Sequence, residues 1–96
     1  VRAMLLRSLL FAPANHARRV GKALSLAADA VILDLEDAVA VSEKAAARAD
    51  AAAACALPRR GRLFIRVNAL STPWALADLL AVVRPGLDGI VLPKVE

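Results

Sequence analysis

Val31-Ile32-Leu33-Asp34-Leu35-Glu36-Asp37 is the stretch on which the reading of the chain turns. Four branched apolar residues predict a strand, and three carboxylates crowd its C-terminal end. A buried strand accounts for the apolar half but gives no reason for three acids in four positions. Like charges that close repel, so the cluster implies a cation or hydrogen-bond donors beside it. Strand parity places Asp34 and Glu36 on one face and Leu33 and Leu35 on the other.

Working outward, Arg7–Ala12 (RSLLFA) is an apolar run stopped by Pro13, and predicts strand one. Asn15 is placed to cap the helix that follows, on which Val20, Ala23, Leu24 and Ala27 recur at helical spacing. Arg18, Arg19 and Lys22 lie near that helix's start, where cations oppose the macrodipole. They read either as a solvated face or as a site for a phosphate drawn to the helix end. Strand two is Ala30–Leu35. Ser42 is then expected to cap an alanine-rich helix running to about Ala56, closed by Pro58. Strand three is Arg62–Val67. Thr72 and Pro73 predict the cap and first position of helix three, with Leu76, Leu79, Leu80 and Val83 as its buried stripe. Pro85-Gly86 ends that helix, and Asp88–Leu92 is strand four.

Strands alternating with helices at this pitch predict an α/β fold with a parallel sheet and helical crossovers. No GxGxxG or GxxxxGK[ST] follows any strand, which weakens dinucleotide and nucleoside-triphosphate readings. A (β/α)8 TIM barrel spends about 30 residues on each unit. The βαβαβαβ order over residues 1–96 therefore reads as the N-terminal half of one barrel domain. Valine at position 1 and an end on Glu96 straight after a strand predict a truncated chain. Such a half-barrel would leave strand four, and strand one with it, as apolar edges prone to aggregation.

Composition narrows the function. Hydrophobic residues make up 59% of the chain, much of it alanine, and 13 Lys and Arg face 9 acids for a net charge of +4. Apart from Arg18-Arg19-Lys22 and Arg59-Arg60-Arg62 the cations are scattered, and no aromatics are interleaved with them; nucleic-acid binding is a weak reading, anionic small molecules suit the pattern equally, and no nucleic-acid partner is expected. The lone Cys55 excludes an intramolecular disulfide and fits a reducing compartment. No run is long enough to span a membrane and no signal-peptide layout opens the chain, so a cytoplasmic protein is expected.

In parallel α/β folds the chemistry gathers at the C-terminal ends of the strands. There the chain carries Asn15; Asp34, Glu36 and Asp37; Arg66 and Asn68; and Lys94 and Glu96. Parity puts Phe64, Arg66 and Asn68 on one face of strand three, so one arginine and two carboxylates are expected to share a rim. That rim reads either as an internal ion pair or as a grip for a substrate carboxylate, with the acids orienting a divalent metal or its waters. His16 reads as a surface residue, Cys55 as core, Trp74 as a packing anchor. Lys44 and Arg48 read as solvated charges, with Lys44 within reach of Glu36 or Asp37.

RSLLFAPAN (7–15), DAVILDLEDAV (29–39), SEKAAAR (42–48), RVNALSTPW (66–74) and GLDGIVLPKVE (86–96) stand in that order. Together they resemble the N-terminal part of the citrate lyase β-subunit-like proteins of the HpcH/HpaI aldolase family. Ala14 stands where the family pattern has glycine, and Val41 where it usually has proline. The resemblance implies a (β/α)8 barrel assembled as a homo-trimer or homo-hexamer. It implies a Mg²⁺-dependent carbon–carbon lyase that makes or breaks a 3-hydroxyacyl thioester such as citryl-CoA or malyl-CoA. The products are an acyl thioester and a 2-oxo acid. Thioesterase relatives cleave the thioester itself.

By the same resemblance, Arg66 matches the arginine that holds the substrate carboxylate or oxo group. Glu36 and Asp37 match the acids that partner the metal's bound waters. Asn15, Arg18 and Lys22 lie where the phosphates of the thioester carrier are met. The metal's own ligands are expected on strands five and six, beyond Glu96, so the 96-residue chain is expected to be inactive. A non-catalytic half-barrel acting through association with another chain is the alternative from a different class.

Overall fold

A computed structural model describes residues 9–26, 29–36, 39–59 and 61–93. Seven elements alternate along the chain: β1 (Leu9–Pro13), α1 (Ala17–Ser25), β2 (Ala30–Asp34), α2 (Lys44–Ala54), β3 (Arg62–Arg66), α3 (Ala75–Val82) and β4 (Gly89–Val91). A 3₁₀ turn, Val41–Glu43, leads directly into α2. The strands lie side by side in the order β1-β2-β3-β4, and every pairing is parallel. Consecutive neighbours without reversal are the order of a (β/α)8 barrel wall, and the fold is that of the N-terminal half of such a barrel.

Register sorts the side chains into two faces. Leu33, Leu63 and Ile65 are wholly buried, and with Val31, Ala12 and the partly buried Ile90 they meet the helices. From α1 come Val20, Ala23 and Leu24; from α2 Ala47, Ala51 and Ala54; from α3 Val82. The α2 stripe contributes only small side chains to this layer, and the branched strand residues fill it. On the opposite face, Phe11, Ile32, Phe64 and Gly89 form one cross-strand row. Gly89 has no side chain because the Phe64 ring lies over it: a Cβ there would stand 2.8 Å from ring carbons. At the foot of β4, Gly86 takes φ +98°, and a Cβ would fall 2.2 Å from the Cys55 carbonyl oxygen. Glycine is required at that turn.

Several sequence-based expectations are corrected. Strand one begins at Leu9 among the described residues, with Arg7 and Ser8 outside them; β2 and β3 each end one residue earlier than expected. None of the three expected caps forms. α1 starts after His16 with no side-chain cap, and the Asn15 amide instead donates to Glu43 Oε2 at 3.4 Å. Ser42 lies inside the 3₁₀ turn, which already satisfies the first turn of α2. The Thr72 hydroxyl donates to the Ala69 carbonyl at 2.7 Å, closing a turn before α3, and Pro73 stays outside that helix.

α3 is also rotated from its expected orientation. Leu76, Leu80 and Val83 are exposed, whereas Ala75, Asp78 and Val82 are buried. Asp78 points inward to Arg48 and Asn68, whose three hydrogen bonds satisfy its buried carboxylate. Ala27, expected on the apolar face of α1, lies outside the described residues. His16 is exposed and Cys55 buried, as expected; burial pushes the Cys55 thiol pKa up.

Candidate active site

The last residues of the first four strands, Pro13, Asp34, Arg66 and Val91, stand in one row across the sheet. The ladder continues one step past it: the Ala14, Leu35 and Val67 N–H groups donate to the Asp34, Arg66 and Val91 carbonyls at 3.0, 2.9 and 3.2 Å. Arg66 is therefore fixed from its backbone outward. Its Nε and Nη2 donate to Asp34 Oδ1 and Oδ2 at 2.9 and 2.8 Å, a bidentate fork. Asp34 is nearly fully buried, whereas the guanidinium side chain keeps 24% of its exposure. The arginine is the more exposed member of the pair.

Glu36 completes the cluster. Its N–H donates to Asp34 Oδ1 at 2.9 Å, an Asx-type turn that bends the chain out of β2. Its carboxylate comes back to 3.6 Å from Arg66 Nε, and a quarter of the side chain is exposed. The expected rim of one arginine and two carboxylates is present. Asp37, Lys94 and Glu96 lie outside the described residues.

Asn68 does not join that face. β3 ends at Arg66, strand alternation stops with it, and the Asn68 side chain turns under the helices. There it belongs to a buried polar cluster that the sequence reading missed. The Asn68 Nδ2 and backbone N–H both donate to Asp78 Oδ2, at 2.6 and 2.9 Å, while Arg48 Nε donates to Asp78 Oδ1 at 3.0 Å. Asn68 Oδ1 accepts from Lys44 Nζ at 2.8 Å. A carboxylate on one side and an ammonium on the other dictate which way the amide points.

Lys44 itself is 6% exposed. Its ammonium also donates to the Leu35 and Glu36 carbonyls, both at 3.0 Å, and lies 5.2 Å from the centroid of the Trp74 ring. Lys44 and Arg48 are thus not solvated charges. Lys44 does reach Glu36, through the backbone carbonyl. Trp74 serves as the π-face for that cation.

The N-terminus of α1 follows directly from β1, so it opens at the same rim. His16, Arg18, Arg19 and Lys22 are exposed and, with Asn15, line an open depression of about 690 Å³. No acid occupies the helix's first turn, and Lys22, expected near the start of the helix, lies in its last turn. Asn15 Oδ1 is buried without a hydrogen-bond partner among the described residues.

The fit for a divalent metal is partial. Among the described residues no three His, Cys, Asp or Glu side chains converge to hold one. Asp34 and Glu36 both face the Arg66 guanidinium, which opposes a cation in direct contact with either. A partly exposed carboxylate such as Glu36 suits the waters of a metal held by other groups. Also among the described residues, no helix is long and apolar enough to cross a membrane.

These features define a parallel α/β barrel wall with an arginine–carboxylate cluster at its C-terminal rim and a basic helix N-terminus beside it. Residues 7–96 match HpcH/HpaI aldolase/citrate lyase, and the chain belongs to that family. It is 48% identical over 99 residues to a citrate lyase subunit beta-like protein of Deinococcus radiodurans, covering 96% of this chain and 34% of that one. Against a (3S)-malyl-CoA thioesterase of Cereibacter sphaeroides it is 45% identical over 92 residues, covering 94% and 32%. The fold matches a Mycobacterium tuberculosis citrate lyase beta subunit complexed with oxaloacetate and magnesium. That match has a TM-score of 0.76 at 41% identity and covers 92% of this chain and 38% of that one. The chain spans about a third of the length of the curated relatives it matches.

Proposed function

We propose that the protein carrying this chain is a Mg²⁺-dependent carbon–carbon lyase acting on a 3-hydroxyacyl thioester of the citryl-CoA or malyl-CoA type. It yields, or condenses, an acyl thioester and a 2-oxo acid. The observation that carries the proposal is Arg66, held by Asp34 through a two-bond fork at the C-terminal rim of the sheet, with a quarter of its side chain exposed there. Family membership and the relative with oxaloacetate and magnesium support it. Residues 1–96 are then the N-terminal part of a single barrel domain of a cytoplasmic homo-trimer or homo-hexamer.

In this reading Asp34 holds the guanidinium plane still, and the exposed edge of Arg66 takes the substrate carboxylate or oxo group. Bound Mg²⁺ supplies polarisation of the oxo-acid oxygens. Cleavage removes the hydroxyl proton, breaks the C–C bond, and leaves the electron pair on the thioester enolate, which is then protonated at carbon. Glu36, with Asp37 next in sequence, orients the metal's waters. Asn15, Arg18 and Lys22 meet the phosphates of the thioester carrier: Asn15 and Arg18 at the helix N-terminus and Lys22 from its last turn line one depression that favours an anion.

The test is an assay of the full-length protein with malyl-CoA and citryl-CoA plus Mg²⁺, following the 2-oxo acid released. Formation of 2-oxo acid, lost in Arg66→Ala, supports the reading; its absence with both thioesters overturns it. The 45% identity to a malyl-CoA thioesterase favours a second reading, hydrolysis of the thioester. That activity would release free CoA and malate with no oxo acid. The 96-residue chain alone is proposed to bind Mg²⁺ only weakly and to turn nothing over. A titration giving micromolar affinity would contradict this.

A further inference from the structure

The proposed chemistry leaves the buried Lys44 ammonium unused. An ammonium has three N–H donors, and three acceptors converge on this one: the Leu35 and Glu36 carbonyls and Asn68 Oδ1. Two of them are consecutive carbonyls. In an extended strand consecutive carbonyls point to opposite sides, so both reach one cation only where the chain bends between them. That bend is the turn that carries Glu36 back towards Arg66.

We propose that Lys44 is a positioning residue: by binding the Leu35 and Glu36 carbonyls together, it fixes the turn after β2 and so sets the Glu36 carboxylate beside Arg66. The inference rests on the reading of Arg66 and Glu36 as substrate and metal-water groups. The supporting shell is built to hold the ammonium in place. Asn68 is locked by Asp78, Asp78 by Arg48, and Trp74 covers Lys44 with its ring. Every member comes from α2, α3 or the segment between β3 and α3, so the position of the turn after β2 is set from behind by two helices. A lysine kept purely for stability would need acceptors, but not two from the one turn that bears a site acid.

The experiment compares Lys44→Met, which keeps the aliphatic stem and removes every donor, with Lys44→Gln, which retains one amide donor. Both are made in the full-length protein. Amide hydrogen exchange at Glu36 is read against Leu33 and Ile65 in the same molecule. Oxaloacetate affinity in the presence of Mg²⁺ is read by calorimetry. We expect Glu36 exchange to quicken by about tenfold or more relative to the two reference amides in the methionine variant, with an intermediate value for glutamine. Oxaloacetate affinity should fall by about tenfold.

Unchanged relative exchange at Glu36 in either folded variant overturns the proposal. So does faster exchange with wild-type oxaloacetate affinity, because the turn would then not position the site. A wild-type protein that binds no oxaloacetate refutes the functional reading instead, and the exchange comparison still decides whether Lys44 holds the turn. If the methionine variant does not fold, the glutamine variant carries both measurements.

Discussion

Arg66 and Asp34 end neighbouring strands opposite one another and are joined by two parallel hydrogen bonds of 2.9 and 2.8 Å. Arg66→Lys keeps the charge but cannot reproduce the fork. Losing one charged hydrogen bond, worth about 1.5–3 kcal/mol, should weaken oxo-acid binding by ~10–100-fold. The comparison of KM for the oxo acid between wild type and variant checks it. Equal values would show that the fork is dispensable.

Asp78 is fully buried and accepts three hydrogen bonds. Asp78→Ala strands the Arg48 guanidinium and two Asn68 donors. A loss of about 3–5 kcal/mol is expected, the range for breaking a buried charged pair from one side. Urea denaturation of the full-length variant measures it, and a loss under about 1 kcal/mol would contradict the network.

The rotation of α3 gives a paired prediction. Val82 is wholly buried and Leu80 is 76% exposed. Val82→Ala should cost about 2 kcal/mol through lost burial and the cavity left behind. Leu80→Ala should stay within about 0.5 kcal/mol, although the residue it truncates is larger. The opposite ranking in denaturant melts would mean that the leucine face packs inward.

Asp88 accepts the Leu63 backbone N–H at 2.7 Å and pairs with Arg59 at 3.1 Å. The Leu63 N–H holds its carboxyl below the ordinary aspartate range; burial opposes this, and Arg59 adds to the lowering. Its folded pKa is thus lower than its unfolded one. The stability it contributes is present above the unfolded value, about 3.9, and is lost as pH falls through the folded value. Asp88→Asn should flatten the acid limb of a stability–pH profile below about pH 4 and leave its shape at neutral pH unchanged. A profile parallel to wild type throughout the acid range would refute this.

The order of elements was legible because each strand is a short apolar-rich run closed by proline, acids or asparagine, with a helix-forming stretch between one strand and the next. The Arg66–Asp34–Glu36 cluster was legible for the same reason: alternation along two parallel strands is enough to put them on one rim. Alternation gave the wrong answer at Asn68, because it ceases where β3 ends. The caps failed because Asn15, Ser42 and Thr72 have the right chemistry for capping, but a long-range bond to Glu43, a 3₁₀ turn and a local bond to Ala69 used those positions otherwise. On α3, four aliphatic residues outvoted Asp78 in the pattern; in the fold only Leu79 of the four packs against the core, and Asp78 turns inward to its partners. Lys44 was missed as a solvated charge, yet a signal existed. It lies three and seven residues before Ala47 and Ala51, on the buried stripe of α2.

The cross-strand row Pro13, Asp34, Arg66, Val91 has a consequence for how this stretch tolerates length changes. A parallel strand moved by one residue exchanges its two faces. One residue gained or lost within β3 would turn Arg66 towards the helices and offer the rim an aliphatic neighbour, while the strand itself stayed apolar and strand-forming. The interior of β3 should therefore accept exchanges such as Ile65→Val far more readily than any insertion or deletion, because there the spacing of residues carries the site's chemistry.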